Sequence, residues 1–469
     1  MTTHIVCIGG SGLRVLRSMV MLLSSGYDLN SDIKAYIIDP HLSSTEYEFT
    51  TGLIKRYKKI RGKGGNVGFF KTKLDVDDNQ PNGMSTITRG ESFGDFIKYS
   101  QMNDASKQIV DILYNKGNID NSMDVGFKGH PNVGCVVLQD LVQDNWFTTN
   151  FSNLPTGDRV VVIGSLFGGT GASGIQTIAQ ALHDKNPQLE IAAITFIPYY
   201  KLQEPPQGVS KDVDSASWDI KSWAALKYYQ HSDFGIDSFY VIGDGDTQAI
   251  PYDETKQGNK SHFVELIAVS AIKHFINTPA GNLQKWNMNF TKWSQDEKSD
   301  LNYALWGAEL KEEISCLANF YAFGKFFTMM REDRLYPVNK LFYKKVNKET
   351  EINERLKDIE SIIFSNKDDI DSFARWIGEM RENKRSFTAV NTSDIKYTSS
   401  GNVESYRFAP ITPNAVYNGT DILKGVTMSD YFMAINKAYR KSLKVEDQTD
   451  KVTKFLNLCY EGIISINNQ

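Results

Sequence analysis

The chain has 469 residues, 41% hydrophobic and 23% charged, with a formal net charge of −4. That length exceeds one ordinary core and predicts two or three domains, while the near-neutral charge excludes the basic footprint of a general nucleic-acid binder. Cys7, Cys135, Cys316 and Cys459 lie far apart with no CxxC pair, which argues against a zinc site or disulfide framework and predicts reduced core thiols in a cytoplasmic protein.

The start, MTTHIVCIGG, has neither the basic nor the long apolar region of a signal peptide, and the apolar run Met19 to Leu23 is too short to span a bilayer. Ile5 to Ile8 reads as a buried strand, Gly9-Gly10-Ser11-Gly12 as a tight turn, and Leu13 to Leu23 as a helix. Arg14 is expected to face solvent. A second strand, Ile33 to Ile38, ends in Asp39-Pro40-His41. This βαβ opening is the usual entry of a doubly wound nucleotide-binding sheet, in which Asp39 suits a ribose hydroxyl.

A long polar region follows, about residues 42 to 132. Arg61 to Asn66 (RGKGGN) is a basic, glycine-rich loop that fits either closure over a phosphate or plain solvation. Ser100 to Tyr114 has the spacing of an amphipathic helix. Gly126 to Gln139 (GFKGHPNVGCVVLQ) reads as a turn leading into Val133 to Leu138, with Lys128 and His130 placed to approach a ligand.

The strongest signal is Arg159 to Gly174, RVVVIGSLFGGTGASG, with a helix-like IQTIAQAL immediately after it. The order is buried strand, glycine-rich turn, helix start. Glycines let backbone N–H groups approach an anion, and a helix N-terminus adds unpaired donors and a positive dipole end. Thr170 and Ser173 add hydroxyls, and the ligand such a loop suits is a phosphate chain. There is no Walker A lysine and no GxGxxG, and a structural glycine turn is the plain alternative.

Further strands are predicted at Leu189 to Ile197 and Asp237 to Asp244, with a helix over Trp218 to Gln230 that packs through Ala224, Leu226 and Tyr228. Glu204 is the only carboxylate of the loop KLQEPPQG, and so its ribose candidate. Gln257 to Leu266 (QGNKSHFVEL) opens a long apolar helix to about Ile276. Asn259 fits either an amide reader of guanine or the N-cap of that helix, and His262 and Glu265 a packing or surface pair. Lys345 to Arg385 reads as charged amphipathic helices, solvent-exposed or facing a partner. Tyr406 to Ala409 and the stretch from Tyr417 onward give a mixed α/β pattern.

GGTGASG between a buried strand and a helix resembles the signature loop of the tubulin/FtsZ superfamily, and the QGNxxHxxEL wording resembles a divergent bacterial group within it. The resemblance covers roughly residues 3 to 280. It implies a Rossmann-like nucleotide-binding α/β domain over 1–257, a central connecting helix over 258–277 and a second α/β domain over 278–469. It further implies one GTP or GDP, with Mg²⁺ neutralising the phosphates. The nucleotide would be held by Gly9, Gly10, Ser11 and Gly12 on one side and by Gly168, Gly169, Thr170, Gly171, Ala172, Ser173 and Gly174 on the other.

Members of that superfamily self-associate into filaments and complete a slow GTPase site between subunits, using carboxylates from a loop after the central helix. Here that loop is Asn277-Thr278-Pro279-Ala280-Gly281-Asn282, without a carboxylate, and Asp296, Glu297 and Asp300 come later as a charged run. Two functions stand: a GTP-binding, self-assembling protein, or a non-catalytic nucleotide-dependent scaffold whose C-terminal part meets a partner protein. A Rossmann oxidoreductase using Gly9 to Gly12 and Asp39 is a third reading, against which the absent third glycine counts.

Overall fold

The computed structural model describes residues 1–62, 68–77, 91–124, 126–205, 207, 214–244, 248–250, 259–287, 304–305, 308–331, 350–364, 371–382, 395–400, 403–408, 428–442 and 450–467. The expectations placed on Lys63 to Asn66, Gln257 and Gly258, Asp296, Glu297 and Asp300, and on 417–427 lie outside these residues.

Strand β1 (Thr2–Ile8) runs directly into helix α1 (Gly9–Ser24), then β2 (Asp32–Ile38), α2 (Thr45–Arg61) and β3 (Leu74–Val76). Short helices α3 (Phe93–Phe96), α4 (Asp104–Leu113) and α5 (Lys116–Ile119) lead to α6 (Pro131–Gln143) and α7 (Asn145–Phe151). Then come β4 (Arg159–Ser165), α8 (Thr170–Lys185), β5 (Glu190–Phe196), β6 (Tyr200–Leu202), α9 (Trp218–His231), β7 (Ser238–Ile242), β8 (Gln248–Ile250), α10 (Phe263–Asn277) and β9 (Trp286–Asn287).

Seven strands form one sheet in the order β3-β2-β1-β4-β5-β7-β9, every neighbouring pair parallel. This is a Rossmann-like α/β fold. The chain leaves β1 toward β2 on one side and β4 toward β5 on the other, so the topological switch point falls between β1 and β4. Ligands of such sheets bind in the crevice beyond the carboxyl ends of the strands there.

Alternation along the strands feeds two cores. Ile5, Cys7, Val161, Ile163, Ala192 and Ile194 face the layer of α1, α2 and α10. Val6, Ile8, Val160, Val162, Ile191 and Ala193 face α6 and α8. Both faces of the sheet are covered, which is why its strands read as continuous apolar runs.

The first layer continues into the C-terminal half. Helices α11 (Lys311–Arg331), α12 (Thr350–Ile363), α13 (Phe373–Glu382), α14 (Met428–Ser442) and α15 (Lys451–Asn467) contribute Leu317, Ile359, Trp376, Tyr431 and Leu456 to the same apolar cluster as Leu13 and Leu16. This corrects the solvent-facing expectation for the charged segment around α13, where seven of ten residues, Glu379 among them, are buried. Among the described residues no helix is long and apolar enough to cross a membrane.

Other boundaries also shift. Gly9 to Gly12, read as a turn, form the first turn of α1, which begins at Gly9, whereas Gly168 and Gly169 stay in the turn and α8 begins only at Thr170. Val133 to Leu138 is helical, with Pro131 at the first turn, where its missing N–H costs nothing. Helix α9 packs through Trp218, Ser222 and Tyr229 and, as expected, through the partly buried Leu226, whereas Ala224 and Tyr228 are exposed.

Candidate nucleotide cleft

The ends of β1 and β4 open into a cleft enclosing about 1220 Å³, part of it open to solvent. Of the residues singled out from the sequence, Gly9, Gly10, Ser11, Asp39, Lys128, Gly168, Gly169, Thr170, Gly171 and Asn259 line it, and His130 does not.

Two helix N-termini meet at this cleft. Neither α1, preceded by Ile8, nor α8, preceded by Gly169, receives a side-chain cap, so the first-turn N–H donors of both are left without one. The dipoles add positive potential at the same place. The glycines around them make room. A Cβ on Gly171 would lie 2.6 Å from Ser165 N, and one on Gly169 2.9 Å from both Gly129 N and the Phe127 carbonyl carbon. A Cβ on Gly10 would meet nothing within 4 Å among the described residues.

The remaining signature residues act elsewhere. Gly12 and Gly174 seat their helices on the sheet, where added Cβ atoms would come within 2.8 Å of Cys7 C and 2.6 Å of Ile8 Cγ2. Ser173 Oγ is buried and donates to Gly169 O at 2.9 Å and Thr170 O at 3.0 Å, so its hydroxyl serves the helix. Ala172 is half-buried on α8, and Glu204 is exposed outside the lining.

A third wall is the turn Gly126, Phe127, Lys128, Gly129, which packs on Gly169. Lys128 has φ +42°, uncommon for a side chain of its size. Lys221 of α9 donates to Gly129 O at 3.0 Å. The two lysines lie near enough to His130 to join burial in lowering its pKa. This end of the cleft is cationic.

The opposite end is made of buried charge. Arg14 is 3% exposed, which corrects the expectation that it faces solvent. It binds Glu265 Oε1 through Nε at 2.7 Å and Nη2 at 2.6 Å. Nη1 donates to Glu46 Oε1 at 2.6 Å and Asn259 O at 2.8 Å, and Nη2 to Lys260 O at 2.6 Å. Those five contacts match the five donors of a guanidinium, so Arg14 is a strut rather than a phosphate finger. Burial opposes its charge, but Glu265 and Glu46 outweigh it and raise its pKa.

The segment 259–261 is gripped from a second side. Glu379 of α13 accepts from Ser261 N at 3.1 Å and Ser261 Oγ at 2.8 Å. Despite burial, Arg17 and Arg375 hold Glu379 down to about 2. Arg17 also binds Asp371 at 2.6 and 2.7 Å. The cap of α10 is His262, whose Nδ1 takes Val264 N at 3.2 Å. Asn259, left open between cap and reader, is therefore not the cap.

Asp39 ends β2 in the cleft wall, with Oδ1 accepting His41 N at 3.0 Å. Burial pushes its carboxyl up to about 7 against that hydrogen bond. Phe167, Tyr200 and Trp218 add an aromatic panel to the lining, with centroids 4.6 Å (Phe167–Trp218), 5.9 Å (Phe167–Tyr200) and 5.2 Å (Tyr200–Trp218) apart. Sequence reading missed this panel and Glu46. Glu46 follows the capping Ser44 and looks there like an ordinary first-turn acid.

In comparisons with known proteins, no protein-family model and no curated protein matches this chain.

Proposed function

We propose that the chain is a GTP-binding protein of tubulin-like character that self-associates. The observation that carries this reading is the convergence of two uncapped helix N-termini, seated on glycine, at the switch point of a parallel sheet. The cationic turn at 126–129 suits the phosphates, and the aromatic panel suits a base. Gly9 to Ser11 and Gly168 to Gly171 would hold the phosphate chain through backbone N–H groups, and the room kept beside Gly10 fits that task. Mg²⁺ would arrive with the triphosphate and neutralise it. Among the described residues no group of three or more metal-binding side chains stands ready for a metal on its own.

A second reading, a nucleotide-dependent scaffold without catalysis, is favoured by one contact. Asn259 in the cleft is two residues from Ser261, which α13 grips through Glu379. Ligand contact at Asn259 is thereby tied to the C-terminal half. The residues after α10, Thr278 to Asn282, also carry no carboxylate.

The test is equilibrium binding of a fluorescent GTP analogue to the full chain stripped of nucleotide, beside Gly169→Asp. Binding that GTP displaces, lost in the folded variant, is expected. Unchanged binding by that variant would refute the site. GTP hydrolysis rising steeply with protein concentration would favour self-assembly over the scaffold.

A further inference from the structure

Among the described residues, three buried polar atoms on residues lining the cleft have no hydrogen-bond partner: Glu46 Oε2, Asn259 Oδ1 and Trp218 Nε1. Glu46 and Trp218 are 7% and 4% exposed, and a buried polar group left unpaired costs about 1–3 kcal/mol. Each such atom in a native structure calls for an explanation, and three on one cleft point to a ligand that supplies the partners.

Their chemistry narrows that ligand. An ionised carboxylate oxygen and an amide oxygen only accept, and an indole N–H only donates. Arg14 Nη1 fixes the other oxygen of Glu46 at 2.6 Å, which leaves Oε2 for a ligand donor. One arginine is shared there by two carboxylates, Glu46 and Glu265, so this end of the cleft favours N–H groups, while the Lys128 end favours anions. Phe167, Tyr200 and Trp218 line the same cleft, with Phe167 and Trp218 inclined to each other by 35° and Tyr200 edge-on to both.

We propose that Glu46, with Asn259, reads the amide edge of guanine. Glu46 Oε2 accepts from the ring N1–H or the exocyclic N2 amine, Asn259 Oδ1 accepts the other, and Trp218 Nε1 donates to O6. Guanine offers two donors and one acceptor along that edge. Adenine presents a lone pair at N1, which would face an acceptor. This inference rests on the nucleotide reading above and makes Glu46 its specificity-determining residue.

Calorimetric titration of the full chain with GTP, ITP (which lacks the N2 amine), ATP and inorganic tripolyphosphate tests it. The wild-type chain is expected to bind GTP about 10-fold tighter than ITP and about 100-fold tighter than ATP. Glu46→Gln should bring GTP and ITP within about threefold, and Trp218→Phe should weaken GTP about 10-fold. Tripolyphosphate binding should stay unchanged in both variants. Wild-type chain binding GTP, ITP and ATP alike, or a folded Glu46→Gln keeping the GTP-to-ITP ratio, would overturn the role of Glu46 and leave the nucleotide reading standing. Binding neither nucleotide nor tripolyphosphate would overturn both. Equal wild-type affinities would overturn the role of Glu46 even if Glu46→Gln does not fold.

Discussion

The two ends of the cleft are built from opposite materials. At the glycine end the wall is backbone: uncapped N–H groups, with Gly169 and Gly171 keeping side chains out of the way. At the Arg14 end the wall is side chain, a buried arginine gripping two carboxylates and two carbonyls. The first fails when bulk is added, the second when a partner is removed. A backbone wall serves any phosphate chain, whereas a charged wall with a free acceptor discriminates among ligands.

The largest loss is expected at the charged end. Arg14→Ala leaves Glu46 and Glu265 buried without their shared cation, and should cost about 3–5 kcal/mol, read by urea denaturation. Arg14→Lys should recover only part of that, since an ammonium lacks the fork.

Asp39 comes next. Its folded pKa of about 7 exceeds the value near 4 of an unfolded chain, so the unfolded state releases its proton first. Its contribution is fully present below about pH 4 and is lost as pH rises to about 7. Asp39→Asn should therefore gain stability relative to the wild-type chain across that window and hold the gain above it. A difference independent of pH would contradict the burial of the carboxyl.

Adding one methyl sharpens the glycine end. Gly171→Ala sets a Cβ 2.6 Å from Ser165 N, a backbone atom that yields poorly. About 1–3 kcal/mol of stability and most of the nucleotide affinity should go together. The smallest effect is expected at Ser173→Ala. That hydroxyl bonds only to helix carbonyls, so about 1 kcal/mol should be lost with nucleotide affinity unchanged. A large affinity loss there would return Ser173 to the cleft.

How far each end was legible follows from the range of its contacts. Val160 to Ile163 and the glycines after Leu166 are neighbours in sequence, so strand, loop and helix could be read directly. Only the helix starts moved, because an uncapped first turn rich in glycine looks like a loop. The charged end draws on Arg14, Glu46, Asn259 and Glu265, with Arg14 and Glu265 251 residues apart. On paper each is a polar residue at or near a helix, which ordinarily faces water. The same holds for Glu379 of α13 and for Asp371 just before that helix, both neutralised by Arg17 from α1. Only the fold brings such charges into one core.

Whether both ends of this cleft serve one guanine nucleotide is decided by calorimetric titration of the stripped full chain with GTP, ATP and NAD⁺. Saturable binding of GTP at one site per chain is expected, with ATP weaker and NAD⁺ silent. Binding of NAD⁺ alone, or of none of the three, would contradict it.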